Sequence, residues 1–148
     1  MKRFDWYLTQ YIEFENSFSR LVREVEALPP VEALTHPKAK LLKRITSLIY
    51  DEIPQNPFSP QYFLGKSLGP GNTNWRRAKF FGRFRLFFRF DTPARQIVYA
   101  WVNDENTLRQ AGGRSDPYAV FQKMLRAHRP PTEWVGLRSE ARPLLSKP

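Results

Sequence analysis

Basic side chains recur two positions apart in adjoining runs of this chain: Arg77 and Lys79 in NWRRAKFF, then Arg83, Arg85 and, four further on, Arg89 in GRFRLFFRF. A period of two is the period of a β-strand. Each set therefore shares one sheet face, with next neighbours roughly 6–7 Å apart. Phe84, Leu86, Phe88 and Phe90 take the other face, which is wholly apolar and must bury. Like charges gathered on a rigid surface repel, so the arrangement suits a surface that receives an anion. Arginine stays charged at any working pH, and its fork matches phosphate bidentately. Such a cluster can hold a phosphate or stabilise negative charge that develops on one.

Further candidates flank this set. Lys66 and Arg76 extend the basic region, and Arg109 follows the last strand-like run in NDENTLR. Trp75 and Tyr118 are aromatic side chains able to stack on bases. Each has a structural alternative: a solvated face or ion pair for a single arginine, helix packing for Tyr118. His128 lies where a helix C-terminus favours it.

The net charge of +10 belongs mainly to the middle of the chain. Residues 1–65 hold eight basic and eight acidic side chains, whereas residues 66–95 hold eight basic side chains against Asp91 alone. That asymmetry favours an anionic partner: nucleic acid, a phospholipid surface or an acidic protein. A peripheral membrane role fits poorly, because the cations sit on a strand rather than an amphipathic helix. Other chemistries lack their residues. There is no cysteine, and His36 and His128 are too few for a histidine-rich metal site, so no metal or other cofactor is expected. GKSLGPG lacks the spacing of a phosphate loop and reads as a glycine-proline turn. Asp104 and Glu105 are adjacent and diverge. No signal peptide or membrane span is legible, which makes the cytoplasm the default compartment.

The elements that position these residues can be read coarsely. FDWYLTQY, 4–11, is an edge strand or the lead into a helix. Apolar steps of three and four predict a helix over about 13–28, ended by Pro29-Pro30, and another over about 37–53. Residues 74–81, 83–90 and 96–102 read as an antiparallel meander, with a tight hairpin at Gly82. Asp116 as N-cap and Pro117 as first residue open a helix to about Ala127. The expectation is a single α+β domain over 1–148, with a helical part about 1–55, a small antiparallel sheet about 72–103, a C-terminal helix about 116–127 and a tail 135–148. The helices should pack on one sheet face, leaving the basic face open or partly covered by the terminal helix.

The ordered run GKSLG, NWRRAKF, GRFRLFFRF, WVNDENTLR, DPYAVFQKML and HRPPTEW resembles the YhaV family of type II toxin–antitoxin toxins, a branch of the RelE-like ribonucleases. The likeness spans about residues 55–135. It implies a RelE-like fold and an endoribonuclease that cleaves mRNA, often in the ribosomal A site, and so inhibits translation and growth. It also implies a cognate antitoxin resembling PrlF, of the AbrB-type swapped-hairpin kind, with operator DNA reached only through that partner. Working residues carried over by motif position are Arg77 and Lys79, Arg85, and more loosely Arg109 and Tyr118.

Metal-independent RNA cleavage uses the 2′-hydroxyl as nucleophile and passes through a phosphorane. Arg85, helped by Arg83, suits the transition-state charge. Lys79 is the first candidate for general base, and Tyr118, His128 or an arginine for the acid. Arg76, Arg77, Arg89, Lys66 and Trp75 are left to bind RNA. Two other functions use the same residues: a non-catalytic RNA-binding module, and a DNA-binding co-repressor that acts only with its antitoxin.

Overall fold

The steps between Phe14, Phe18, Leu21 and Val22 wind into helix α1, Ile12–Glu26, in the computed structural model, which describes residues 1–147. Pro148, the end of the expected tail, lies outside them. A short α2, Pro30–Ala33, follows the proline stop. Pro37 opens α3, Pro37–Ser47, and His36 caps it, its Nδ1 accepting the Lys38 N–H at 3.0 Å. The helix then widens into a π turn, Leu48–Glu52, and ends in α4, Ile53–Gln55. Pro54 has no N–H to offer the Tyr50 carbonyl, which accepts instead from Arg3 Nε at 3.0 Å.

The sheet has six strands: β1 Lys2–Arg3, β2 Trp6–Gln10, β3 Arg76–Phe80, β4 Phe84–Asp91, β5 Gln96–Val102 and β6 Arg142–Pro143. Their order is β1-β2-β5-β4-β3, with β6 also pairing β2. The expected meander is present, but the sheet is mixed rather than antiparallel. FDWYLTQY supplies β2, which lies parallel to β5 with Leu8 opposite Ile97. Parallel neighbours need a long crossover, and the helices between β2 and the meander belong to it.

Two apolar layers sandwich this sheet. On one face Leu86, Phe88, Ile97 and Tyr99 pack against Phe14, Phe18, Ile45 and Ile49 of the N-terminal helices. On the other, Phe87, Val98 and Ala100 pack against Tyr118, Phe121 and Leu125 of α5, Pro117–Arg126, and Leu137 of α6, Trp134–Glu140. The Phe87 and Phe121 rings stack at 4.4 Å. A bulge opposite Phe87/Phe88 adds one residue to β5, so consecutive Ala100 and Trp101 both meet this second layer.

The arginine-bearing face is therefore covered, by the terminal helix expected to cover part of it and by α6 as well, rather than open. Arg85 is only 7% exposed and Arg89 9%. The apolar side chains sharing that face need cover, and α5 with α6 provide it over the arginines too. The tail, patternless in sequence, also adds to the fold. The Leu144 N–H bonds the Leu8 carbonyl at 2.9 Å, and its side chain joins the first layer. Among the described residues no helix is long and apolar enough to cross a membrane.

Candidate active site

Strand register gathers the first cations. Lys79 stands opposite Arg85, and Arg77 opposite Phe87, so Arg77, Lys79 and Arg85 share the α5 face. The Asp116 cap fixes the start of α5, its carboxylate accepting the Tyr118 N–H at 3.2 Å. That first turn sets the Tyr118 ring down on the sheet, edge-on to Phe87.

The Tyr118 hydroxyl accepts Arg77 Nε at 2.9 Å and Arg85 Nε at 3.0 Å. Each guanidinium is also held from behind. Arg77 Nη1 donates to the Gln61 and Phe63 carbonyls, and Arg85 Nη1 to those of Gly82 and Phe84. Neither Nη2 donates to a described residue, and neither is sealed from solvent. The Tyr118 proton likewise meets no acceptor among the described residues. The cluster thus presents two fixed N–H forks and a hydroxyl proton.

A third guanidinium completes it. Arg109 lies 4.8 Å from the Tyr118 ring centre and donates to Asp116 Oδ1 at 2.7 Å. Asp116 is buried and also accepts the Gln110 N–H at 2.8 Å. Exposed Arg83 is tied to the same loop. Its Nε donates to the Arg109 carbonyl at 3.0 Å, and the Arg109 N–H donates to the Arg83 carbonyl at 2.8 Å.

Asn103 makes this loop possible and went unnoticed in the sequence. It is buried, its Oδ1 accepts the Arg85 N–H at 2.7 Å, and its Nδ2 donates to the Arg83 and Thr107 carbonyls. An Asx side chain just after a strand, followed by Asp104 and Thr107, is the signal that would have marked it.

Several expected residues stand elsewhere. Lys79 shares the face, opposite Arg85, but is exposed. Lys66 is exposed on its turn and Arg76 leans the other way, over the Phe63 and Phe90 rings at 4.8 and 5.6 Å. Burial holds the Arg76 guanidinium below its usual pKa. Trp75 is fully buried, bonded to Thr132 and edge-on to Phe121, so its ring has no free face for a base. Arg89 is wedged between the Trp75 and Trp134 rings at 5.7 and 5.8 Å and donates to the Thr132 carbonyl. Its Nε is sealed without a partner, and burial, then the neighbouring Arg76 charge, push its pKa down. His128 is exposed just past the far end of α5, ten residues and so about 15 Å along the axis from Tyr118.

A basic cluster around one phenol, on a covered mixed sheet, has the donors to hold an anion such as a phosphate. Residues 7–142 match the family described as a toxin with endonuclease activity, of a toxin–antitoxin system. The chain is 42% identical over 140 residues to the toxin YhaV of Escherichia coli O6:H1, covering 91% of each chain. It is 41% identical over 140 residues to the ribonuclease toxin YhaV of Escherichia coli K12, again with 91% of each covered. No solved structure matches it. The chain belongs to the YhaV toxin family, and so to the endonuclease toxins that work with an antitoxin.

Proposed function

We propose that the chain cleaves RNA by attack of a 2′-hydroxyl on the adjacent phosphorus, without a metal ion, at the Arg77–Arg85–Arg109–Tyr118 cluster. The observation that carries this is the convergence of two guanidinium Nε atoms on one phenol oxygen. The name of the K12 relative, a ribonuclease toxin, supports the choice of RNA over DNA. Arg77 and Arg85 offer their Nη2 donors to the non-bridging oxygens, and the phosphorane gathers charge where these cations already stand. Their carbonyl tethers keep them from reorganising. Arginine does not give up its proton, so the transferable proton of the cluster is that of Tyr118. It passes to the departing 5′-oxygen, while Lys79, at the rim, takes the 2′ proton in the fraction of molecules in which it is a free amine. The products are a 2′,3′-cyclic phosphate and a 5′-hydroxyl.

The reading extends to a RelE-like arrangement of the sheet, to mRNA in the ribosomal A site as substrate, and to the cytoplasm as the place of action. The antitoxin is a PrlF-like, AbrB-type protein, and operator DNA is met only through it. The test is cleavage of an RNA oligonucleotide with chelator present, and of mRNA on ribosomes in magnesium buffer. Cyclic phosphate ends that vanish in Arg85→Ala are expected. Ends bearing a 3′-hydroxyl, or activity lost on chelation, would overturn the mechanism. RNA that is bound but never cut, with or without ribosomes, would leave a binding module.

A further inference from the structure

The β3–β4 turn carries a side chain the mechanism does not use. Phe81 has φ +47°, in the left-handed region that bulky residues avoid, and its ring is 54% exposed. Asparagine or glycine would fill that position without strain. A strained, wetted aromatic calls for a function rather than a packing role. Its ring borders a groove of about 320 Å³, lined by His36, Pro37, Lys38, Leu41, Phe84 and Glu105. That is the lower end of the roughly 300–1,000 Å³ range of small-molecule sites.

The polar groups of the groove are few and definite. The His36 Nδ1 accepts the Lys38 N–H, so the Nε2 side of the ring carries the proton and is a donor. Glu105 is exposed and acceptor-only when ionised. The Lys38 ammonium is engaged by Glu24. Asp104 accepts the Asn106 N–H and the Thr107 hydroxyl, which fixes the turn bearing Glu105. The turn bearing Phe81 and the loop bearing Glu105 are tied to the cluster. Arg85 Nη1 bonds the Gly82 carbonyl beside Phe81 at 2.9 Å, and Asn103 ties the Glu105 loop to the Arg83 carbonyl. Exposed Arg83 is tied to the cluster through the Arg109 carbonyl, which its Nε bonds at 3.0 Å, and it stands two residues from Phe81.

We infer that this groove is a nucleobase subsite that selects guanine beside the cut. The inference rests on the ribonuclease reading above. Phe81 supplies the stacking surface. A carboxylate prefers the base edge with two adjacent N–H donors, which is guanine N1–H and N2–H. Cytosine and adenine each offer one amino group beside a ring acceptor, and the uracil N3–H is flanked by carbonyls. The His36 donor suits guanine O6 or N7.

The full-length protein is titrated with the 3′-monophosphates of the four nucleosides by NMR, and its cut sites are mapped on a mixed-sequence RNA. Guanosine 3′-monophosphate should bind about tenfold tighter than the others. Glu105→Gln should bring all four within about threefold and erase the guanine at the mapped position. Phe81→Ala should weaken all four by about tenfold. Equal binding of the four nucleotides by wild type, or unchanged cut-site bases in Glu105→Gln, would overturn the subsite alone. Phe81→Ala cutting at the same bases yet escaping neutralisation would assign the groove to the antitoxin and overturn it also. A wild-type protein that cuts no RNA, with or without ribosomes, would instead remove the ribonuclease reading on which it rests.

Discussion

Arg85 and Arg89 stand four residues apart on one strand, point to the same face and are almost equally buried, at 7% and 9% exposed. Their surroundings differ in kind. Arg85 meets a hydroxyl and two carbonyls and keeps one nitrogen for an incoming oxygen. Arg89 meets two indole faces and one carbonyl, and its Nε is sealed without any partner. Burial of an arginine is thus no mark of a site. What sets the Arg85 end apart as the proposed site is convergence: β3, β4, the 103–109 loop and the start of α5 all bring polar groups together. At the Arg89 end the chain has built a cationic wedge between α6 and the sheet.

The sharpest way to break this contrast is to remove the functional groups at each end. Tyr118→Phe deletes the hydroxyl and keeps the ring. Cleavage should fall by about 10²–10⁴-fold if the phenol moves a proton. Arg85→Ala should fall by about 10²–10³-fold, as expected for a lost oxyanion donor. Single-turnover rates on an RNA oligonucleotide, scaled to the folded fraction, measure both. Arg89→Ala should keep its rate within about threefold. A comparable loss in Arg89→Ala would end the distinction between the two arginines.

Stability should reverse the order. Arg89→Ala leaves a cavity between two tryptophans and should cost about 2–4 kcal/mol. Arg85→Ala, at a site open enough for an unpaired Nη2, should cost less. Urea midpoints with constant m-values decide this. Equal losses would mean that both arginines are structural wedges.

The helix-packed face offers a second contrast, because its polar groups are sealed for structure alone. The Tyr50 and Tyr99 hydroxyls donate to the Leu145 and Ile49 carbonyls at 2.7 and 2.6 Å. Burial pushes Tyr50 up to about 12 and Tyr99 well above the ordinary value of 10.0. The folded state therefore favours the protonated phenol. Its contribution is complete below pH 10 and is lost as pH rises toward 12. For Tyr50 the loss is on the order of 2 kcal/mol. Tyr50→Phe should flatten the alkaline limb of a stability–pH curve and leave cleavage unchanged. A limb unchanged in that variant would remove Tyr50 as its cause.

Local pattern explains which parts of this arrangement were legible in the sequence. The alternation in GRFRLFFRF put Phe84, Leu86, Phe88 and Phe90 on one face and Arg85 and Arg89 on the other, as observed, whereas Arg83 falls in the turn before β4. Asp116 and Pro117 marked the start of α5. Short-range signals cannot say what covers a face, however. Phe87 and Val98 demanded cover on the arginine side, yet nothing local showed that α5 would bring Tyr118 onto Arg77 and Arg85, more than thirty residues away in the chain. The β2–β5 pairing and the Leu144 contact are longer-range still. Trp75 misled for the same reason, since its type suits stacking and only tertiary packing shows both faces taken.

A smaller effect on RNA is expected at the carboxylate of the Arg85 end. Asp116 caps α5 and neutralises Arg109, whereas Asp91, beyond Arg89, accepts only from the Ala94 N–H of its own turn. Asp116→Asn keeps one acceptor for the cap but turns its amide N–H toward the Gln110 N–H, so stability should fall by about 1–3 kcal/mol. It removes one negative charge from a group of cations and frees Arg109. RNA should then bind a few-fold tighter, and the slope of log K against log salt should steepen by about 0.7, one further phosphate on a single strand. The rate should nevertheless fall, because Arg109 no longer stands over the Tyr118 ring. Tighter binding with slower cutting would show that the cluster is set for the transition state rather than for holding RNA. If binding and rate rose together, Asp116 would be a brake on the site, and convergence at this end would concern affinity alone.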